Sequence, residues 1–153
     1  MAQAPARTAQ QRKVDSLAKL AAAAADVWVA TASPAGEAHL VPLSLCWDDG
    51  RIVLATARST RTFVNLEAAG RARLAVGPER DVVMLDAVLV SVLDVGDAPH
   101  GLADAYAAQA DWDPRDAGDG YVYVVLVPER IQAWREADEI DGRTLMRGGR
   151  WLV

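Results

Sequence analysis

The run "DVVMLDAVLVSVLDV", residues 81–95, is a near-unbroken series of aliphatic and β-branched side chains, longer than the strands of roughly 3–10 residues that ordinary sheets use. In a chain of 153 residues such a run has room only if it bends across a sheet and serves two sides of a barrel. The segment "RARLAV" precedes it across the turn "GPER", which makes a hairpin. Upstream, "DVWVATASPAGEAHLVPLSLCWDDGRIVLATA" divides at "SPAG" and "DDG" into three strand-like runs, the pattern of an antiparallel meander. Downstream, "YVYVVLVPERIQAW" resumes strand, and "RTLMRGGRWLV" closes as a hairpin turning at Gly148-Gly149.

Helical spacing is confined to three places. Ala9 to Ala25 reads as an amphipathic helix with Val14, Leu17, Leu20 and Ala21 on one stripe, after a polar, proline-containing tail. Ser59 or Thr60 can cap a short helix ending near Gly70, with Phe63, Leu66 and Ala69 spaced to face inward. "APHGLADAYAAQADW" is the third helix, and "DPRDAGDG" after it reads as a solvated loop. At least six strands and three helices give a mainly β (α+β) chain, an antiparallel barrel with flanking helices. Residues 1–25 form a tail and helix, and residues 26–153 form one barrel domain.

Charge narrows the function. The formal net charge is −5, yet residues 58–80 hold five arginines against two glutamates, while residues 81–153 hold fourteen acidic and six basic side chains. A nucleic-acid-coating surface is excluded by that acidic half, whereas one basic locality suits a small anion. No apolar stretch reaches membrane-spanning length and no signal-like pattern opens the chain, so it reads as cytoplasmic with no membrane partner. The single cysteine, Cys46, forms no intrachain disulfide and lies in the apolar run "LSLCW", as a buried small hydrophobe would.

That basic locality begins with "RSTRT", Arg58 to Thr62, where an apolar strand turns into a helix. The first N–H groups of a helix lack intrahelical partners and the peptide dipoles make that end partly positive. Ser59, Thr60 and Thr62 add hydroxyls, and Arg58 and Arg61 add guanidinium forks that match phosphate oxygens. Two readings stand side by side here: a cradle for a terminal phosphate, or a hydroxyl cap flanked by solvated arginines.

The order of segments, "VPLSL", the "DDG" hairpin, the Ser/Thr/basic junction, "NL", a short helix, "R-x-R-L" and finally "P-E-R-I-Q-A-W", resembles the pyridoxamine 5'-phosphate oxidase-like family of flavin-binding split β-barrels over roughly Asp26 to Trp134. The resemblance implies a homodimer that binds FMN, or alternatively the factor 420 deazaflavin, at the subunit interface. It also implies a flavin-dependent oxidoreductase acting on a small organic substrate; the alternative is a non-catalytic flavin- or haem-binding protein of the same fold. By the same resemblance, Arg58, Ser59, Thr60, Arg61 and Thr62 hold the cofactor phosphate, the backbone of Pro42, Leu43 and Ser44 with Ala55 and Thr56 lines the ring, and Trp134 approaches from the partner subunit. Two departures matter. Arg61 stands where many relatives have lysine, and "READEIDGRTLMRGGRW" replaces the substrate-holding segment of true pyridoxamine phosphate oxidases, so oxidation of vitamin B6 is not expected.

The remaining polar candidates carry no further chemistry. His39 and His100 have no ligand-type neighbour at metal-binding spacing, and the acidic "DWDPRDAGDG" lacks the spacing of a calcium loop. No general acid, base or nucleophile stands out, so the catalytic residues are unassigned. Arg7, Arg12 and Lys13 are basic residues that a polyglutamate tail on a deazaflavin would need; as a tail in solvent they would serve no ligand.

Overall fold

In the computed structural model, which describes residues 4–153, the start of the expected N-terminal tail, residues 1–3, lies outside the described residues. Nine strands are found among the described residues, all paired antiparallel: β1 (Asp26–Ala32), β2 (Ala38–Ser44), β3 (Cys46–Asp48), β4 (Arg51–Ala57), β5 (Arg71–Val76), β6 (Val82–Asp94), β7 (Tyr121–Trp134), β8 (Thr144–Arg147) and β9 (Arg150–Trp151). The sheet runs β2-β1-β5-β6-β7-β4-β3, and β8 and β9 attach at β7. Its two ends, β2 and β3, are consecutive in the chain and separated by Leu45 alone. The sheet therefore has to curl until its first strand reaches its last, and Leu45 at that corner is fully buried.

The long apolar runs bend as their length requires. β6 and β7 pair from Val82↔Trp134 to Asp94↔Val122, with register shifts between Asp86 and Ala87 and between Leu89 and Ser91. At the first shift Ala87 faces Pro128, and Glu129 is left without an opposite residue. A proline at a bulge forfeits no ladder bond, which is why the strand tolerates Pro128. Beyond the bend the partners change: β7 gives Tyr121–Leu126 to β4 and Arg130–Gln132 to β8.

The barrel interior holds Val27, Val29, Ile52, Leu54, Leu74, Val83, Leu85, Val122, Val124, Leu126 and Ile131, with Phe63 and Leu66 from a helix at one end. A second core lies outside β4 and β7, where Val53, Ala55, Tyr123 and Val125 are covered by Leu102, Ala103, Tyr106 and Ala110. Burial on both faces explains why "RIVLATA" and "YVYVVLV" read as continuous apolar runs rather than alternating ones.

Three helices flank the barrel: α1 (Ala9–Leu20), α2 (Arg61–Ala69) and α3 (His100–Ala110). α1 ends at Leu20, short of the expected Ala25, and its buried stripe is Arg12, Ser16 and Leu20, whereas the expected Val14 is 56% exposed. The reason is a polar demand at the end of β7: Arg12 Nη1 donates to the carbonyls of Ala133 at 3.3 Å and Glu139 at 3.2 Å. In α2, Phe63 and Leu66 face inward as expected, but Ala69 is exposed and the other buried positions are Thr62 and Asn65. Asn65 donates to the buried Thr31 hydroxyl at 3.1 Å, which satisfies both groups.

α3 is shorter than "APHGLADAYAAQADW" suggested and is fastened by one side chain. Gln109 Oε1 accepts the N–H of Trp47 at 2.8 Å, and its Nε2 donates to the carbonyls of Leu20 at 2.7 Å and Ala22 at 3.2 Å. One amide thus ties α3 to β3 and to the end of α1. No helix among the described residues is long and apolar enough to cross a membrane.

Candidate functional site

β2 ends the sheet path, so one of its edges has no strand partner. β3 pairs with β4 only from Arg51 to Val53, which leaves Leu54–Ala57 similarly unpaired on that edge. The two free edges approach one another, and this gap is the split in the barrel. Unpaired backbone donors and acceptors at such an edge demand partners. Pro42, Leu43 and Ser44 lie along one side of the gap; Ala55 and Thr56 lie along the other.

These five residues differ in what they offer. Register with Trp28 places Pro42 on the outer face of the sheet, with Ser44 two residues on, while Leu43 turns toward the interior. Ala55 and Thr56 are only 4% exposed. Ala55 is covered by the α3 core, and the Thr56 hydroxyl lies 2.8 Å from that of Thr60. β4 therefore contributes backbone alone.

At the far end of β4, Thr60 rather than Ser59 caps α2, accepting the N–H of Phe63 at 3.2 Å. Its hydroxyl donates to the Ala57 carbonyl at 2.9 Å, so Thr60 is committed to the turn. Among the described residues the backbone N–H groups of Ser59, Arg61 and Thr62 have no acceptor, and the exposed Ser59 hydroxyl has none either. The arginines differ as well. Arg58 is paired with Asp94 at 3.0 Å, whereas Arg61 has only the exposed Glu37 at 3.5 Å. Three orphan N–H groups, a free hydroxyl and one weakly held guanidinium match the needs of a phosphate dianion, so the donor set fits the terminal group of a flavin nucleotide.

Trp134 lies opposite Val82 on the outer face of β7, with the Arg143 guanidinium 5.8 Å from its ring centroid. Strands β1, β5 and β6 stand between it and Pro42 on that face, a path of about 19 Å along the curved sheet at ordinary strand spacing. The structure thus brings the residues expected to hold a phosphate and those expected to line a ring to one gap and leaves Trp134 of the same protomer far from it. On this outer face Arg73 and Arg130 each donate to Asp86 at 2.7 Å. Burial pushes the Asp86 carboxyl up, but the two guanidinium groups more than offset it and hold it below its ordinary range. A concavity of about 790 Å³ opens beside this trio, lined also by Ala30, Arg71 and Gly148. It lies on the outer sheet face rather than at the α2 junction.

Sequence reasoning missed Trp112, whose indole N–H donates to Ser44 Oγ at 3.1 Å. The acidic loop is exposed from Arg115 to Gly120, as a solvated loop should be, and its start is also clasped: Asp113 accepts from Arg115, and Arg115 reaches back to Asp104 of α3 at 2.9 Å. The signal was the "DPR" triplet, an acceptor and a donor on either side of a proline that starts a short helical turn.

The other candidates stay outside the gap. Cys46 is buried and its thiol is pushed up to about 11 by burial, so it is no nucleophile at neutral pH. No group of three metal-ligating side chains exists among the described residues. Arg7, Arg12 and Lys13 are all engaged within the chain, with Glu139, with the carbonyls beyond β7, and with the Val153 carbonyl at 2.7 Å.

The family model for pyridoxamine 5'-phosphate oxidase matches residues 15–135. No curated protein matches the sequence. Among solved structures, a conserved hypothetical protein from Mycobacterium tuberculosis is 18% identical with a TM-score of 0.66, over 90% of this chain and 91% of that one. An F420 reductase is 13% identical, TM-score 0.62, over 74% and 94% of the two chains. A heme binding protein from Mycobacterium smegmatis is 19% identical, TM-score 0.65, over 97% of this chain and 60% of its own. At these identities the likeness establishes the split-barrel fold.

Proposed function

Since the chain belongs to the pyridoxamine 5'-phosphate oxidase family, we propose that it is a homodimeric oxidoreductase that binds FMN in the gap between β2 and β4 and acts on a small organic substrate. The observation that carries this reading is the set of free N–H groups at Ser59, Arg61 and Thr62, placed at the end of an unpaired β4 edge. They receive the phosphate, with the Ser59 hydroxyl and Arg61. The backbone along Pro42–Ser44 and Ala55–Thr56 offers hydrogen bonds to the ring edge. When bound, the flavin supplies the hydride or electron chemistry. The residues around it bind, orient and exclude water, and no side chain at the gap is a general acid or base.

Occupation of the N-terminal basic residues favours FMN over the factor 420 deazaflavin. Arg7, Arg12 and Lys13 hold this chain together, and a polyglutamate tail would have to compete for them.

The separation of Pro42 and Trp134 across the outer face supports a dimeric reading. A two-fold axis that packs this face on itself brings the β7 end of one protomer over the β2 end of the other, so each gap receives a tryptophan from its partner. Trp28 is 50% and Leu40 60% exposed on the same face, beside the exposed Pro42, an apolar patch of the kind that marks association.

The deciding experiment is the visible spectrum of the purified protein with equilibrium titration of FMN and riboflavin. Tight FMN binding with weaker riboflavin binding supports the reading; a Soret band with no flavin affinity points instead to the haem-binding alternative. Saturable reoxidation of the reduced cofactor by an added quinone separates an enzyme from a carrier.

A further inference from the structure

We propose that Trp112 is a positioning residue for the cofactor ring, acting through Ser44, an inference that rests on the flavin-binding reading above. Ser44 Oγ accepts from Trp112 Nε1 at 3.1 Å, which leaves the Ser44 proton as the free half of that hydroxyl. Among the described residues no acceptor takes it. Ser44 is half-buried at the edge of the gap, outer face upward. A hydroxyl whose lone pair is engaged from one side presents its proton to the other, so Ser44 becomes a fixed donor to a carbonyl or imine acceptor of the ring.

Such control needs a rigid donor, and Trp112 is held on several sides. Its ring meets Tyr106 edge-on at 5.9 Å and 81°, and Tyr121 at 5.9 Å and 74°. Before it, Asp111 takes a left-handed backbone conformation (φ 60°) that turns the chain sharply off α3. After it, Asp113 accepts the backbone N–H of Arg115 at 3.0 Å, and Arg115 is paired with Asp104. The α3 segment as a whole is pinned by Gln109. An indole anchored in this way loses little further freedom when it orders a neighbour. Tyr106 beneath it is fully buried, and among the described residues Ser44 is the hydrogen-bond partner of this aromatic cluster that faces the gap.

The test compares Trp112→Phe, Ser44→Ala and the double variant. Phenylalanine keeps an aromatic ring between the tyrosines and removes the N–H donor together with part of the indole's volume, which is why ligand-free stability is measured alongside. FMN and riboflavin affinities are measured by titration, the bound flavin's midpoint potential by spectroelectrochemistry, and the thermal stability of the ligand-free proteins alongside. Each single variant is expected to weaken both ligands by about five- to tenfold and to shift the midpoint potential the same way, and the double variant adds nothing beyond either one. Loss of FMN affinity alone, additive effects, or a Trp112→Phe protein with lowered stability but unchanged potential overturns the assignment while leaving the flavin reading intact. Failure of the wild-type protein to bind either ligand overturns both.

Discussion

Arg7 and Glu139, 132 positions apart, form a two-pronged ion pair: Nη2 lies 2.8 Å from Oε2 and Nε 3.1 Å from Oε1. The Arg7 backbone N–H donates to the same carboxylate at 2.8 Å, as does that of Arg135. Glu139 is 2% exposed, and a carboxylate so deeply placed is tolerable only when paired and hydrogen-bonded. The Arg7 side chain also meets Asp15 at 2.9 Å and Asp81 at 3.0 Å, so the residues before α1 are fastened to both strands at one end of the β6–β7 ribbon, where Val82 pairs with Trp134.

This pair predicts an acid-sensitive fold. Hydrogen bonding from Arg7 lowers the Glu139 carboxyl from 4.5 to about 2 in spite of burial. A depressed folded-state value means that the stabilisation is complete above the unfolded value and is lost as pH falls through the folded one. Denaturant unfolding should therefore lose stability steadily from about pH 4.5 to about pH 2. Glu139→Gln should cost about 3 kcal/mol at neutral pH and flatten that part of the profile.

At the α2 junction, the two arginines should behave differently. Ser59→Ala combined with Arg61→Ala is expected to weaken FMN by about 2–3 kcal/mol, the scale of hydrogen bonds to a charged group, with riboflavin unchanged. Arg58→Ala, whose guanidinium is already paired with Asp94, should cost less than half as much. Equal losses of both ligands in a titration would contradict the phosphate assignment.

The outer face of β1 and β2 should control assembly. Leu40→Asp places a charge beside Trp28 on an exposed apolar patch; under the proposed assembly, sedimentation should show a dimer for the wild type and a monomer for the variant. Far-ultraviolet circular dichroism should stay the same, because neither side chain belongs to the core. Monomer formation should also abolish tight FMN binding if, as proposed, each gap takes a tryptophan from the partner subunit.

Two glycines offer an internal control on backbone strain. A Cβ at Gly77 would lie 2.6 Å from the Asp81 carbonyl oxygen, with φ +94°, while one at Gly50, φ +80°, would meet nothing within 4 Å. Gly50→Ala should cost about 1–2 kcal/mol from its left-handed conformation alone. Gly77→Ala should cost clearly more, because the β5–β6 turn must open to admit the methyl group; paired chemical unfolding curves measure the difference.

The strands, their bends and the α2 junction were legible in the sequence because each rests on local chemistry. Alternation and turn residues set β1 and β2, a continuous apolar run after a turn set β4, the length of the β6 run demanded a bend, and hydroxyls at Ser59 and Thr60 announced a helix start. Even there two hydroxyls were open, and Thr60 is the one that also reaches Thr56, four positions back across the turn. The stripe on α1 was misread because it answers a distant demand. Helical periodicity ranks Val14 above Arg12, but only the folded chain places the open carbonyls of Ala133 and Glu139 where an arginine can satisfy them. Trp112 and Ser44 are separated by 68 positions, Gln109 and Leu20 by 89, and Arg7 and Glu139 by 132. A hydrogen bond depends on direction and distance to a few tenths of an ångström, and no local pattern along the chain carries that information, so sequence alone set which segments become strands and helices, while tertiary packing decided which polar groups meet.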